Sequence, residues 1–112
     1  MLPKRNRLTK KKDFERVFKE GKKYNLPGGK IYLKIIKNKL KSSRFGFVVS
    51  KKISKKATVR NRIKRRLREA VRMKMPEIKK GIDGVIVVVP DKDFSEVQEE
   101  INKIFKKAGI MK

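Results

Sequence analysis

Residues 84–90, Gly-Val-Ile-Val-Val-Val-Pro, restrict the fold of this chain more than any other stretch. A run of branched apolar residues of strand length, stopped by a proline, reads as a β-strand buried on both faces. Such a strand needs a sheet around it and helices to cover that sheet. The chain has 112 residues, enough for one small domain with one core.

The remaining segments supply those partners. Residues 9–21 read as a helix with Phe14, Val17 and Phe18 on one side and Gly21 at its C-terminal cap. Residues 22–25 read as a short strand, followed by a Leu-Pro-Gly-Gly turn at 26–29. Residues 30–37 and 44–50 are rich in branched and aromatic residues and read as strands, the second a hairpin partner of the first. Residues 58–75 read as a helix capped by Thr58 and closed by Pro76. Residues 93–108 read as a last helix, capped by Asp93 with Glu96 or by Ser95 with Gln98, and burying Val97, Ile101, Ile104, Phe105 and Ala108. The order α-β-β-β-α-β-α predicts an α+β sandwich on a central mixed sheet, one domain over 1–112, with residues 1–8 a basic, extended and flexible segment.

The helix at 58–75 has two incompatible faces. Val59, Ile63, Leu67, Ala70 and Val71 recur at intervals of three and four and form an apolar stripe. Opposite lie Asn61, Lys64, Arg65, Arg68 and Arg72, with Arg60, Arg62 and Arg66 on the flanks. Six of the nine residues from Arg60 to Arg68 are Lys or Arg. Like charges at this spacing repel, so the face serves neither solubility nor helix stability. It becomes favourable against a polyanion, whose counterions it releases. The formal charge is +24. Residues 1–80 hold 30 basic and 5 acidic residues, whereas 81–112 hold 5 and 6. The polyanion surface therefore belongs to the first part of the chain, and the last part reads as scaffold.

Composition also narrows the chemistry. There is no histidine and no cysteine, which removes the commonest acid–base and nucleophilic groups, any disulfide framework and any thiolate metal site. Metal-dependent nucleases hold ions about 3.5–4 Å apart with clustered carboxylates, but five of the eleven acids lie between Asp91 and Glu100, where helix N-terminal and solvated roles suffice. No catalytic residue and no protein metal site is expected. No apolar run approaches the roughly 18–20 residues of a membrane span, and the N-terminus lacks the apolar region of a secretory signal. These features fit a cytoplasmic protein whose polyanion could be RNA, DNA or an anionic membrane.

The segment Arg-Asn-Arg-Ile-Lys-Arg-Arg-Leu-Arg-Glu-Ala at 60–70, preceded by residues 45–59 (FGFVVSKKISKKATV), resembles the signature of the protein subunit of bacterial ribonuclease P. Residues 5–21 (RNRLTKKKDFERVFKEG) resemble the start of the same family. The resemblance implies a ribosomal protein S5 domain 2-like fold, in which the basic helix forms a left-handed βαβ crossover. Periodicity could not indicate this, since right-handed crossovers are the strong default. It implies an accessory subunit of an endoribonuclease, ribonuclease P, that removes the 5′ leader of precursor tRNA. The catalytic centre and its Mg²⁺ would lie on the RNA. Arg60, Asn61, Arg62, Lys64, Arg65, Arg66 and Arg68 would contact the catalytic RNA. Phe14, Phe18, Tyr32, Ser50, Lys51 and Lys52 would line the leader-binding cleft. Spacing alone reads Phe14 and Phe18 as core residues, and the basic helix alone would equally suit a structural RNA-binding protein of ribosomal type with no processing role.

Overall fold

A computed structural model describes residues 2–89 and 97–112. Its elements are α1 (Lys11–Glu20), β1 (Lys22–Asn25), β2 (Ile31–Lys37), β3 (Arg44–Val48), α2 (Ala57–Lys74), β4 (Ile82–Val88) and α3 (Val97–Ala108), with 3-10 turns at Lys4–Asn6 and Met75–Glu77. The α+β order expected from the sequence is observed. The expected caps at Asp93 and Ser95 lie outside the described residues.

The four strands form one mixed sheet in the order β1-β2-β4-β3. β4 runs antiparallel to β2 and parallel to β3, so α2 is the crossover that joins two parallel neighbours. The expected hairpin between β2 and β3 is therefore wrong. The most apolar strand lies between them, because it alone has side chains to bury on both faces.

One face of the sheet carries the larger core. Ile31, Leu33, Phe45, Phe47, Ile82, Ile86 and Val88 pack there against Leu67, Ala70 and Val71 of α2 and Val97, Ile101, Ile104 and Phe105 of α3. The rings of Phe45 and Phe105 stack at 5.5 Å. The second face carries a small cluster of Leu8, Val17 and Val85 beneath α1.

Three local expectations are revised. Residues 1–8 are packed from Leu2 onward. Leu2 is fully buried, Asn6 Nδ2 donates to the Ser43 carbonyl at 2.8 Å, and Arg7 bridges to Phe45 along the outer edge of β3. Thr58 lies inside α2 rather than at its cap, which is Lys56 and makes no side-chain hydrogen bond. Gly21 does end α1, but with extended backbone. Its glycine is required by space, since a Cβ there would lie 2.3 Å from the Val17 carbonyl oxygen.

Candidate nucleic-acid interface

The second face of the sheet is ordered in rows by strand register. Gly46, Val85 and Lys34 form one row, Arg44, Asp83 and Ile36 the row on one side of it, and Val48, Val87 and Tyr32 the row on the other. Helix α1 lies along the middle row. Val17 packs with Val85, Phe14 meets Gly46, and the Lys34 ammonium donates to the Phe18 carbonyl at 2.9 Å.

The two flanks of α1 then do different work. Asp13 and Arg16 face the first outer row and are held by charge. The Asp83 side chain is fully buried. It takes a two-pronged contact from Arg44, at 2.9 Å to Nε and 2.7 Å to Nη2, a 2.7 Å hydrogen bond from Asn38 Nδ2 and a contact from Arg16. Arg44 also reaches Asp13 at 3.3 Å. Burial pushes the Asp83 carboxyl up, but hydrogen bonds from Arg44 and Asn38 and the charges of Arg44 and Arg16 outweigh it, so the net direction is down. The same pairing raises Arg44, which its own desolvation opposes.

On the other flank α1 stops short of the sheet's end. Phe14 and Phe18 are half-buried there with Val48 and Val87. Among the described residues, Val48, Val87 and Tyr32 form a strip that is only half-buried. Two lysines border the strip. The Lys23 ammonium stands 4.5 Å from the centre of the Tyr32 ring, and that of Lys34 lies 5.7 Å from the Phe18 ring, so each cation faces a π-surface. Ser50, Lys51 and Lys52 are exposed and follow directly from the β3 end that contributes Val48. Of the six residues expected at the cleft, Phe14 and Phe18 pack with Val48 and Val87, Tyr32 shares the row of Val48 and Val87, and Ser50, Lys51 and Lys52 follow β3 in the chain. Phe14 and Phe18 are neither fully buried core residues nor fully exposed ones.

The basic helix is less uniform than its sequence suggests. Asn61, Arg62, Arg65 and Arg66 are exposed, whereas Lys64 and Arg68 are half-buried at the margins of the apolar stripe. Arg60 turns inward, and its Nη1 donates to the Ser54 carbonyl at 2.8 Å, bracing the basic loop. Arg72 pairs with Glu69 one turn away. The hydrogen bond from Arg72 lowers the Glu69 carboxyl to about 2 despite a small opposing desolvation. Among the described residues, no three acids come close enough to hold a metal ion, and no helix is long and apolar enough to cross a membrane.

Sequence reasoning missed Arg16, Arg44 and Asp83, which hold α1, and Gly46, Lys23 and Lys34, which meet Phe14, Tyr32 and Phe18. A signal for Asp83 was present. A lone carboxylate at the head of an otherwise apolar strand requires a cationic partner.

The profile of a family described as Ribonuclease P matches residues 2–109 of the chain. The ribonuclease P protein component of Dictyoglomus turgidum is 41% identical, with 99% of this chain and 95% of that protein covered. That of Synechocystis sp. is 38% identical, with 98% and 90% covered. Among solved structures, the RNase P protein of Staphylococcus aureus superposes with a TM-score of 0.83 at 26% identity, over 96% of this chain and 98% of that one. The RNase P protein of Thermotoga maritima gives 0.78 at 34% identity, over 90% and 96%.

Proposed function

The chain belongs to the ribonuclease P protein family, and from that membership we propose that it is the accessory subunit of a tRNA-processing endoribonuclease whose catalytic centre lies on the partner RNA. The observation that carries this reading is the separation of an exposed basic helix face from a strip of aromatic rings and lysines. The exposed face of α2 offers point charges to a phosphate backbone. The strip beside α1 offers ring faces and ammonium groups to unpaired bases, the combination that single-stranded nucleic acid favours.

In this reading Arg62, Arg65 and Arg66, with Asn61 and the marginal Lys64 and Arg68, contact the catalytic RNA, and Arg60 orders the loop that leads into the helix. The 5′ leader of precursor tRNA lies along Phe14, Phe18 and Tyr32, and Ser50, Lys51 and Lys52 receive its phosphates. Mg²⁺ is held by RNA. Among the described residues no acids cluster closely enough to hold it, and Asp13 and Asp83 are engaged by Arg44, Glu69 by Arg72 and Glu100 by the backbone N–H groups of Lys30 and Ile31. The protein's part is to raise the local concentration and fix the orientation of the leader. A structural RNA-binding role without processing is not favoured by the family membership.

The deciding experiment is cleavage of precursor tRNA at low Mg²⁺ by a ribonuclease P RNA, with and without this protein. Acceleration by the protein, with no cleavage by the protein alone, is expected. Equal rates with and without it would refute the reading.

A further inference from the structure

A second concave surface lies at the opposite end of the sheet from the leader cleft. It is a pocket of about 300 Å³ formed where the N-terminal 3-10 turn, the starts of β3 and β4 and the end of α2 converge. Four cationic side chains, Arg5, Lys41, Lys80 and Lys112, line it together with neutral groups, and no carboxylate side chain does.

Its frame is tied together by hydrogen bonds from four separate segments. Asn6 Nδ2 donates to the Ser43 carbonyl at 2.8 Å. The Ser43 hydroxyl donates to the Lys79 carbonyl and accepts from the Ile82 N–H at 3.1 Å. The Lys79 N–H donates to the Ile110 carbonyl and the Lys112 N–H to the Glu77 carbonyl, both at 2.7 Å. The Asn6 amide and the Ser43 hydroxyl are thus engaged in holding the shape. Among the described residues, the side chains of Arg5, Lys41, Lys80 and Lys112 make no hydrogen bond or ion pair. All four side chains are exposed, so solvent screens their mutual repulsion, and the pocket offers an anion four cationic donors along one concavity.

We propose that this pocket is a further RNA phosphodiester site, in which Arg5, Lys41, Lys80 and Lys112 receive backbone phosphates independently of the α2 face and the leader cleft. The inference rests on the RNA-binding reading above. Strand β4 runs from beside the pocket to the cleft, seven residues or about 20 Å. A single phosphate at one end therefore does not occupy the other. The phosphates belong either to the partner RNA or to precursor tRNA, which share the chemistry.

The test compares the double variant Lys41→Gln/Lys80→Gln with the equally charged control Lys103→Gln/Lys106→Gln on exposed positions of α3, and with Arg65→Ala. Binding to a ribonuclease P RNA transcript is measured against salt, and binding of precursor tRNA to the assembled holoenzyme is measured separately. The pocket variant should lower the log–log salt slope by about 1.5, since each phosphate contributes roughly 0.7–0.9, with an unchanged thermal midpoint. The control should leave the slope in place. A fall in the first assay identifies the partner RNA as the source, and a fall only in the second identifies the substrate. If Arg65→Ala lowers the slope and the pocket variant does not, the pocket is rejected while the RNA-binding reading stands. Equal falls for pocket and control would reduce the pocket to part of a diffuse field and overturn the proposal. If no variant lowers the slope, the reading beneath it falls as well.

Discussion

The ring of Phe14 rests directly on Gly46. A Cβ at position 46 would lie 2.3 Å from Phe14 Cζ and 2.6 Å from Cε1. The glycine in the middle of β3 is therefore a seat for α1, and it sets how deeply the helix sinks toward the sheet.

Gly46→Ala should lift Phe14 from its seat. Overpacking of this kind costs about 1–3 kcal/mol of stability, and the Leu8 carbonyl, 3.2 Å from the added methyl, limits relief on the other side. Holoenzyme carrying this variant should lose affinity for precursor tRNA while binding mature tRNA, which lacks a leader, as before. Equal losses for both tRNAs would detach Phe14 from leader binding.

Phe14→Ala separates packing from stacking. Because the ring is half-buried, the folding cost should fall below the ~3–5 kcal/mol of a fully buried phenylalanine. Loss of base stacking should weaken precursor tRNA binding by about 1–3 kcal/mol. Chemical denaturation and leader-dependent binding, measured on the same protein, give the two numbers.

Arg65 and Arg60 should part company although they lie five residues apart on one basic helix. Arg65→Ala removes an exposed charge and should lower the salt slope of RNA binding by roughly 0.7–0.9 without altering the thermal midpoint. Arg60→Ala removes the hydrogen bond to the Ser54 carbonyl and should loosen residues 51–56. Faster amide exchange in that loop is its expected signature.

Asp83 should govern acid stability. Its folded carboxyl titrates below the ordinary value of 3.8. The stabilisation is therefore present above that value and is lost as pH falls through the lower folded one. Asp83→Asn should flatten the stability profile below about pH 4. At neutral pH it should cost on the order of 3–5 kcal/mol, because two arginines lose the carboxylate that holds them at the sheet. Urea titrations at pH 7 and pH 3 test both statements.

Glu69→Gln should strengthen RNA binding. It removes the one acid on α2 and releases Arg72, which Glu69 otherwise holds through the physiological pH range because its carboxyl lies near 2. A salt titration showing an unchanged or lower slope would count against an RNA contact at this end of the helix.

The elements were legible because their periods are clean. β1 matches its expected bounds, and α2 ends within two residues of the expected stop at Pro76. Strand order was not legible in the residues alone. Adjacency in sequence suggested that β2 and β3 pair, and only the two-sided burial of β4 forces it between them. The expectation of a leader cleft rested on the family signature alone, since Phe14 and Phe18 at a spacing of four read as core. The mixed behaviour of α2 was hidden for another reason. Helical angle places Arg60 on a flank, but the partner it turns toward is a carbonyl on a loop whose path the sequence does not specify.

The order β1-β2-β4-β3 also dictates when the molecule can become itself. During synthesis β2 and β3 emerge long before β4, and each presents a bare edge that only residues 82–88 can close. The basic crossover helix is already made by then, so nearly all the positive charge precedes the strand that completes the sheet. A nascent chain at this stage is sticky for RNA and open for mispairing together. The last strand must thread between two waiting neighbours of opposite direction, which makes folding non-local and late rather than sequential. A ribosome, itself largely RNA, is the first polyanion such a chain would meet.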